Sequence, residues 1–129
     1  MLSDELSILA LYGLLVAVTL VLQATGYMNK LGMGYLMSSR DEQHTVTGMT
    51  ARLDRALNNS IVAMALFAPA VLIIVLRDAS SAQTILMAQI FLLARLVYVP
   101  AYIFGIIGVR TLAWGAGFVA TCVLFLLAL

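Results

Sequence analysis

Four long runs of apolar residues make up most of the sequence and constrain what it can fold into. A helix needs about 20 mostly apolar residues to cross the hydrocarbon core of a membrane. Each run is about that long, and none shows the two-residue alternation of a strand. Only 10% of the 129 residues are charged and 64% are hydrophobic, which leaves too few charges for the surface of a soluble domain. The sequence therefore predicts an integral membrane protein.

The four runs predict a single all-α domain over residues 1–129, an up-down four-helix transmembrane bundle. The helices are expected at about 6–27, 50–76, 84–107 and 110–129, with a polar loop at about 28–49. Asp4 and Glu5 precede the first run, where a secretory signal peptide would carry Lys or Arg. The first run is therefore interpreted as a helix of the mature protein.

The basic residues are divided unequally between the two sides of this bundle. The side with the long loop and the last turn carries five of them: Lys30, Arg40, Arg52, Arg55 and Arg110. The other side carries only Arg77. Because Lys and Arg concentrate in cytoplasmic loops, we expect the long loop and Arg110 in the cytoplasm and both termini on the opposite side.

Composition also limits the partners. The net charge is +1 and no run of Lys or Arg occurs, so nothing points to a nucleic-acid partner, and membrane lipids are the expected surroundings. Cys122 is the only cysteine, which excludes an internal disulfide. No cluster of metal ligands is visible, so no metal is expected.

Arg95 is the outstanding polar residue, because it lies about halfway along the third predicted helix. Arg95, Tyr98 and Tyr102 are spaced i, i+3, i+7 and share one helix face. Ionisable residues inside a membrane are costly and usually functional, which favours a polar pocket for an anionic ligand. The alternative is a structural arginine that snorkels or pairs with a neighbouring helix.

A second group lies where the second helix enters the membrane. Arg52, Arg55 and Asn59 have the same i, i+3, i+7 spacing and form a basic face rich in hydrogen-bond donors. Such a face can bind a carboxylate or a phosphate. Interfacial arginines that meet lipid headgroups are the alternative.

A third group opens the last helix. Arg110 can donate to an anion or a thiolate, with Thr111 beside it, and Trp114 follows at a position typical of aromatic belts. A charge that sets topology, next to an interfacial aromatic anchor, is the alternative interpretation of this group.

These residues resemble the MAPEG family, the membrane-associated proteins in eicosanoid and glutathione metabolism. The resemblance rests on four short helices and two motifs, Arg55-Ala56 followed by Asn59, and Arg95, Tyr98 and Tyr102 followed by Arg110-Thr111. It extends from about Tyr35 onward, and its best part, Arg95 to Trp114, is similar to bacterial members. For a bacterial-type member the expected location is the inner membrane.

The resemblance implies a homotrimer that binds glutathione between neighbouring subunits near the cytoplasmic side. Glutathione would be the cosubstrate for conjugating lipophilic electrophiles or reducing lipid hydroperoxides. By motif position, Arg55 and Asn59 would bind the glutathione carboxylates and backbone, and Arg95 and Tyr102 would line the same site. Arg110 would stabilise the thiolate, since a nearby guanidinium lowers the pKa of a thiol. The full set of candidate ligand-binding residues is Arg52, Arg55, Asn59, Arg95, Tyr98, Tyr102 and Thr111, with Arg110 as the catalytic residue.

Val62 departs from the family pattern. It stands three positions after Asn59, where the family carries an acidic residue that would face the ligand's ammonium. This departure favours an alternative function, a non-catalytic MAPEG-like protein that binds an anionic lipid or another small acid in the same intersubunit pocket.

Overall fold

Four helices account for almost all of the described chain. The computed structural model describes residues 2–31 and 48–129, which form α1 (Glu5–Leu31), α2 (Gly48–Leu76), α3 (Ala82–Ile103) and α4 (Ile107–Ala128). These ranges contain no strand. Each helix includes a span that is long and apolar enough to cross a membrane. The predicted all-α membrane bundle is therefore confirmed, whereas the homotrimer stays a prediction.

The turn between α3 and α4 lies earlier than the sequence pattern predicted. α3 ends at Ile103, not near 107, because Gly105 adopts φ 73°, a left-handed conformation that glycine tolerates and that ends a helix. The N–H groups of Phe104 and Gly105 donate to the carbonyls of Pro100 and Tyr102 at 3.0 and 3.1 Å. α4 then begins at Ile107, so Arg110 lies inside its first turn rather than at its start.

The segment predicted as a polar loop is helical at both of its ends. α1 continues to Leu31 and α2 begins at Gly48, so both ends of the predicted 28–49 segment are helical. Residues 32–47 lie outside the described part of the chain, and the rest of this loop therefore stays a prediction.

An aromatic cluster forms the centre of the bundle. The rings of Phe67 on α2 and Phe91 on α3 stack with centroids 3.9 Å apart, and Tyr12 on α1 meets Phe91 edge-on at 4.8 Å. The Tyr12 hydroxyl donates to the Ser60 carbonyl at 2.7 Å, which satisfies its polar group in an apolar environment. α2 and α3 contact one another and both outer helices, while α1 and α4 do not touch within the described ranges.

One end of the bundle, here called the Glu5 end, joins the start of α1 to the turn between α2 and α3. Glu5 is only 2% exposed, and its carboxylate accepts hydrogen bonds from the hydroxyls of Ser80 and Thr84, both at 2.7 Å. Arg77 donates to the Ala128 carbonyl at 2.8 Å, at the end of α4. Next to Glu5, the N–H and hydroxyl of Ser7 hold the pKa of Asp4 below its usual value.

The opposite end, the Arg110 end, brings the start of α2 to the turn between α3 and α4. Arg52 donates from Nε to the Ile103 carbonyl at 2.8 Å, which satisfies one of the free carbonyls at the end of α3. The hydrogen bonds at the two ends show that successive helices run in opposite directions, as the short connections require.

Glu5 allows a test of the Glu5 end. Glu5→Ala should lower the free energy of unfolding by about 1–3 kcal/mol, because the buried hydroxyl of Thr84 and the exposed hydroxyl of Ser80 lose a charged acceptor. Glu5→Gln keeps one acceptor oxygen, so its free energy of unfolding should fall less than that of Glu5→Ala. Circular dichroism during denaturant titration in detergent measures both, and an alanine variant within about 0.5 kcal/mol of the parent would contradict the assigned role.

Candidate functional site

Arg95 lies deep in the bundle, with its guanidinium bonded to α2. It is 2% exposed and about 12 Å from the end of α3, at 1.5 Å of rise per residue. Nη1 donates to Asn59 Oδ1 at 2.9 Å and Nη2 to Ser60 Oγ at 3.0 Å. The guanidinium carbon also lies 4.1 Å from the centre of the Tyr98 ring, in a cation–π contact.

A small residue on α4 lets the stem of Arg95 pack closely. A Cβ built at Gly117 would lie 3.7 Å from both Arg95 Cδ and Ala94 Cβ. α3 and α4 therefore approach closely here, as small residues at helix interfaces allow.

Beside Arg95 lies a cavity of about 190 Å³ between α2, α3 and α4, here called the Arg95 cavity. Its lining comprises Asn59, Val62, Ala63, Leu66, Phe91, Arg95, Trp114, Gly117, Phe118 and Thr121. Arg95 thus pairs with a neighbouring helix, as expected of a structural arginine, and also faces a cavity, as expected of a pocket for an anionic ligand.

Tyr102 is the centre of a second group at the Arg110 end. Arg55 donates from Nε to the Tyr102 hydroxyl at 3.1 Å, and its guanidinium carbon lies 5.9 Å from the ring centre. The Arg110 guanidinium carbon lies 4.5 Å from the same ring centre. One tyrosine from α3 therefore holds two arginines, from α2 and from α4.

Tyr98 links the two groups. Its ring centre is 5.6 Å from that of Tyr102, and it also receives the cation–π contact from Arg95. A smaller pocket of about 150 Å³, the Arg110 pocket, is lined by Tyr98, Arg110, Thr111 and Trp114. Because Trp114 lines both cavities, it is their shared wall.

The remaining two predicted residues stand apart in their hydrogen bonding. Arg52 shares a helix face with Arg55 in the sequence pattern, yet its Nε donates to the Ile103 carbonyl, and it acts there as a helix cap. Thr111 donates to the Ile107 carbonyl at 3.0 Å within its own helix, so its oxygen is left as an acceptor facing the Arg110 pocket.

The charges of the site are not balanced by acids. Within residues 2–31 and 48–129, Arg52, Arg55 and Arg95 donate to carbonyl, hydroxyl and amide oxygens, and no carboxylate pairs with them or with Arg110. Asp54, the acid nearest in sequence, instead accepts from Gln23 at 3.2 Å. Such an arrangement of donors favours an anion.

Two contributors were not among the candidate site residues predicted from the sequence. Ser60 directly follows Asn59 and completes the support of Arg95, and its only signal was a hydroxyl within an apolar run. Trp114 was interpreted as an interfacial anchor, but it forms the wall between two cavities and stacks on Phe118 at 5.3 Å. Spacing along one helix does not show which residues of another helix lie opposite.

Comparison with known families assigns the chain to a family along nearly its whole length. The family model described as MAPEG family matches residues 6–129, essentially the whole chain. The chain belongs to the MAPEG family. This family includes glutathione transferases and peroxidases, so the resemblance first drawn from the arginine and tyrosine motifs is confirmed at the level of the family. No curated protein and no solved structure gave a match to the chain.

The two neighbouring arginines of this MAPEG chain should respond differently to mutation. Arg52→Ala should lower the free energy of unfolding by about 1–3 kcal/mol, because it removes a charged donor from the end of α3. Arg55 is exposed and donates to a hydroxyl, so Arg55→Ala should cost less than about 1 kcal/mol. Denaturant titration of the two variants checks this, and equal losses would contradict it.

Proposed function

We propose that the protein is a membrane enzyme that uses an anionic thiol, glutathione, to conjugate lipophilic electrophiles or to reduce lipid hydroperoxides. One observation carries the proposal: Arg55 and Arg110 meet at Tyr102, and no acid in the described ranges neutralises them. Two guanidinium groups on one tyrosine favour binding of an anion, because arginine forms charge-assisted hydrogen bonds with anionic groups.

The described residues fit the anionic groups of glutathione. Arg55, together with Asn59, would bind its carboxylates and backbone, and Arg110 would contact the sulfur. The ammonium of glutathione finds no such match, because the Arg95 cavity presents Val62 and contains no carboxylate among its lining residues. We therefore propose that glutathione is held through its carboxylates and its thiol. The other candidate residues would support or line the site: Arg52, Arg95, Tyr98, Tyr102 and Thr111.

Arg110 would supply the chemistry by stabilising the thiolate. A thiol is mostly protonated at neutral pH, and a fixed positive charge nearby favours the deprotonated, nucleophilic form. The Tyr102 ring holds the Arg110 guanidinium through its π face, which leaves the N–H groups of Arg110 free to donate to sulfur. The Thr111 oxygen lies on the same pocket.

Both proposed reactions begin with loss of the thiol proton to solvent. In conjugation, the sulfur forms a bond to the electrophilic carbon. A leaving group such as chloride departs with the electron pair as an anion, whereas in an epoxide the C–O bond breaks, the oxygen stays on the neighbouring carbon with the electron pair, and water protonates it. In peroxide reduction, the thiolate attacks one peroxide oxygen, the O–O bond breaks and an alcohol forms. A second thiol then reduces the oxidised sulfur, giving a disulfide and water.

The membrane setting supports a lipophilic second substrate. Large apolar side chains are exposed on the α4 surface around the site, among them Leu112 and Phe118, so a lipid-soluble molecule can arrive laterally. We propose that the Arg110 end faces the cytoplasm of a bacterial inner membrane, because Arg52, Arg55 and Arg110 lie at that end and Arg77 at the other. We also propose a homotrimer with the site at the subunit boundary, which native mass spectrometry tests.

Arg110→Ala should remove the thiolate while glutathione is still held by Arg55. The thiol pKa should rise, and because one pKa unit changes the thiolate fraction tenfold below that pKa, conjugation at neutral pH should fall at least about tenfold. Thiolate absorbance in the ultraviolet and turnover of 1-chloro-2,4-dinitrobenzene and cumene hydroperoxide, followed against pH, measure this. The rate profile should move to higher pH.

Arg77→Ala is the matched control, because it removes the same charge at the Glu5 end. It should leave the thiolate signal of glutathione unchanged. Calorimetry on the purified parent protein measures whether glutathione binds at all. Failure to bind glutathione at millimolar concentration would refute its use as cosubstrate.

A further inference from the structure

The Arg95 cavity has one charged group and otherwise little polarity. Arg95, Asn59 and Thr121 are its polar lining residues, and the Thr121 hydroxyl already donates to the Gly117 carbonyl at 2.9 Å. The remaining lining residues carry no polar side-chain group apart from the indole N–H of Trp114. The cavity is therefore an apolar space with a cation in its wall.

The charge of Arg95 is incompletely satisfied by the described residues. A guanidinium has five N–H donors, and Asn59 and Ser60 each accept one hydrogen bond. Nε is buried and has no partner among the described residues. The acceptors that Arg95 does have are neutral, so the positive charge itself lacks a counterion there.

The cavity opens on the lateral surface of the chain. Val62 is 60% exposed, and Leu66, Trp114 and Phe118 are also exposed while lining the cavity. A molecule with an apolar body can thus enter from the hydrocarbon layer without crossing the Arg110 end.

We propose that the Arg95 cavity binds a monocarboxylate with an apolar body, whose carboxylate pairs with Arg95 and whose body packs against Phe91 and Phe118. A cavity of about 150 Å³ accommodates benzene, so 190 Å³ suffices for a carboxyl group with a body of ring size, and a longer chain extends through the opening. A zwitterion is disfavoured, because its ammonium would be buried without an acid. The cavity shares Asn59 and Arg95 with the proposed glutathione site, but binding of a monocarboxylate goes beyond the proposed function and does not depend on Arg110.

Trp114 provides a direct readout, because it lines the cavity and is the only tryptophan in the chain. The full-length protein in nanodiscs of neutral lipid is titrated with decanoate, with benzoate and with decanol, and Trp114 fluorescence is followed with calorimetry as a check. Decanoate should bind at least about tenfold more tightly than decanol, which has the same chain without the charge. Saturable binding of benzoate as well as decanoate would indicate that the ligand is a small acid. Binding of decanoate alone would indicate that the ligand is a fatty acid from the bilayer.

Val62 allows a charge test within the cavity. Val62→Glu places a carboxylate beside Arg95 and should weaken decanoate binding at least about tenfold, because the cation then has an internal partner. Val62→Gln, of the same size without the charge, should stay within about threefold of the parent. Ala63→Leu tests occupancy without charge, because Ala63 also lines the cavity and a larger apolar side chain there reduces its volume.

Three results would overturn the proposal: equal affinity for decanoate and decanol, equal decanoate binding by the Val62→Glu and Val62→Gln variants, or undiminished binding by folded Ala63→Leu. Arg110→Ala distinguishes the glutathione chemistry from monocarboxylate binding. It should remove the glutathione thiolate signal but leave decanoate affinity within about threefold of the parent.

Discussion

The positive charge of Arg95 inside the membrane-spanning bundle is the constraint on which the rest of the site depends. Placing an arginine at the centre of a membrane helix costs about 3 kcal/mol on insertion scales. Each hydrogen bond to a charged group contributes about 1.5–3 kcal/mol, so Asn59 and Ser60 together offset that cost. The contact with Tyr98 adds to this support. The need to hold Arg95 thereby determines how α2 and α3 face one another.

Contacts between arginines and tyrosine rings extend from Arg95 toward the Arg110 end. Tyr98 and Tyr102 lie on one face of α3 and present ring faces to arginines from three helices. Aromatic rings attract these cations without neutralising them, so the charges remain able to bind an anion. The site is thus a series of positive groups that extends from a buried cavity to the end of the bundle, with Trp114 between its two pockets.

Much of this could be predicted from the sequence, and the exceptions have a common reason. The spacing of Arg95, Tyr98 and Tyr102 predicted a shared helix face, and all three lie together in the structure. The same spacing grouped Arg52 with Arg55, but Arg52 caps α3. Glu5 precedes the first apolar run in the sequence, where it served only to argue against a signal peptide, yet it is buried against Ser80 and Thr84. Helical periodicity describes neighbours on one helix, whereas these partners come from residues that are distant in sequence.

The sequence by itself determined the four membrane helices, the family and the residue types of the site, because a helix that crosses the hydrocarbon layer must be long and apolar, and a charge within it is unusual. Only the tertiary structure decided that Arg95 has neutral partners and faces an apolar cavity, that Tyr102 joins Arg55 to Arg110, and that Val62 lines the same cavity as Arg95. These facts depend on how the helices are rotated against one another. Side-chain packing sets that rotation, and the pattern along any single helix does not contain it.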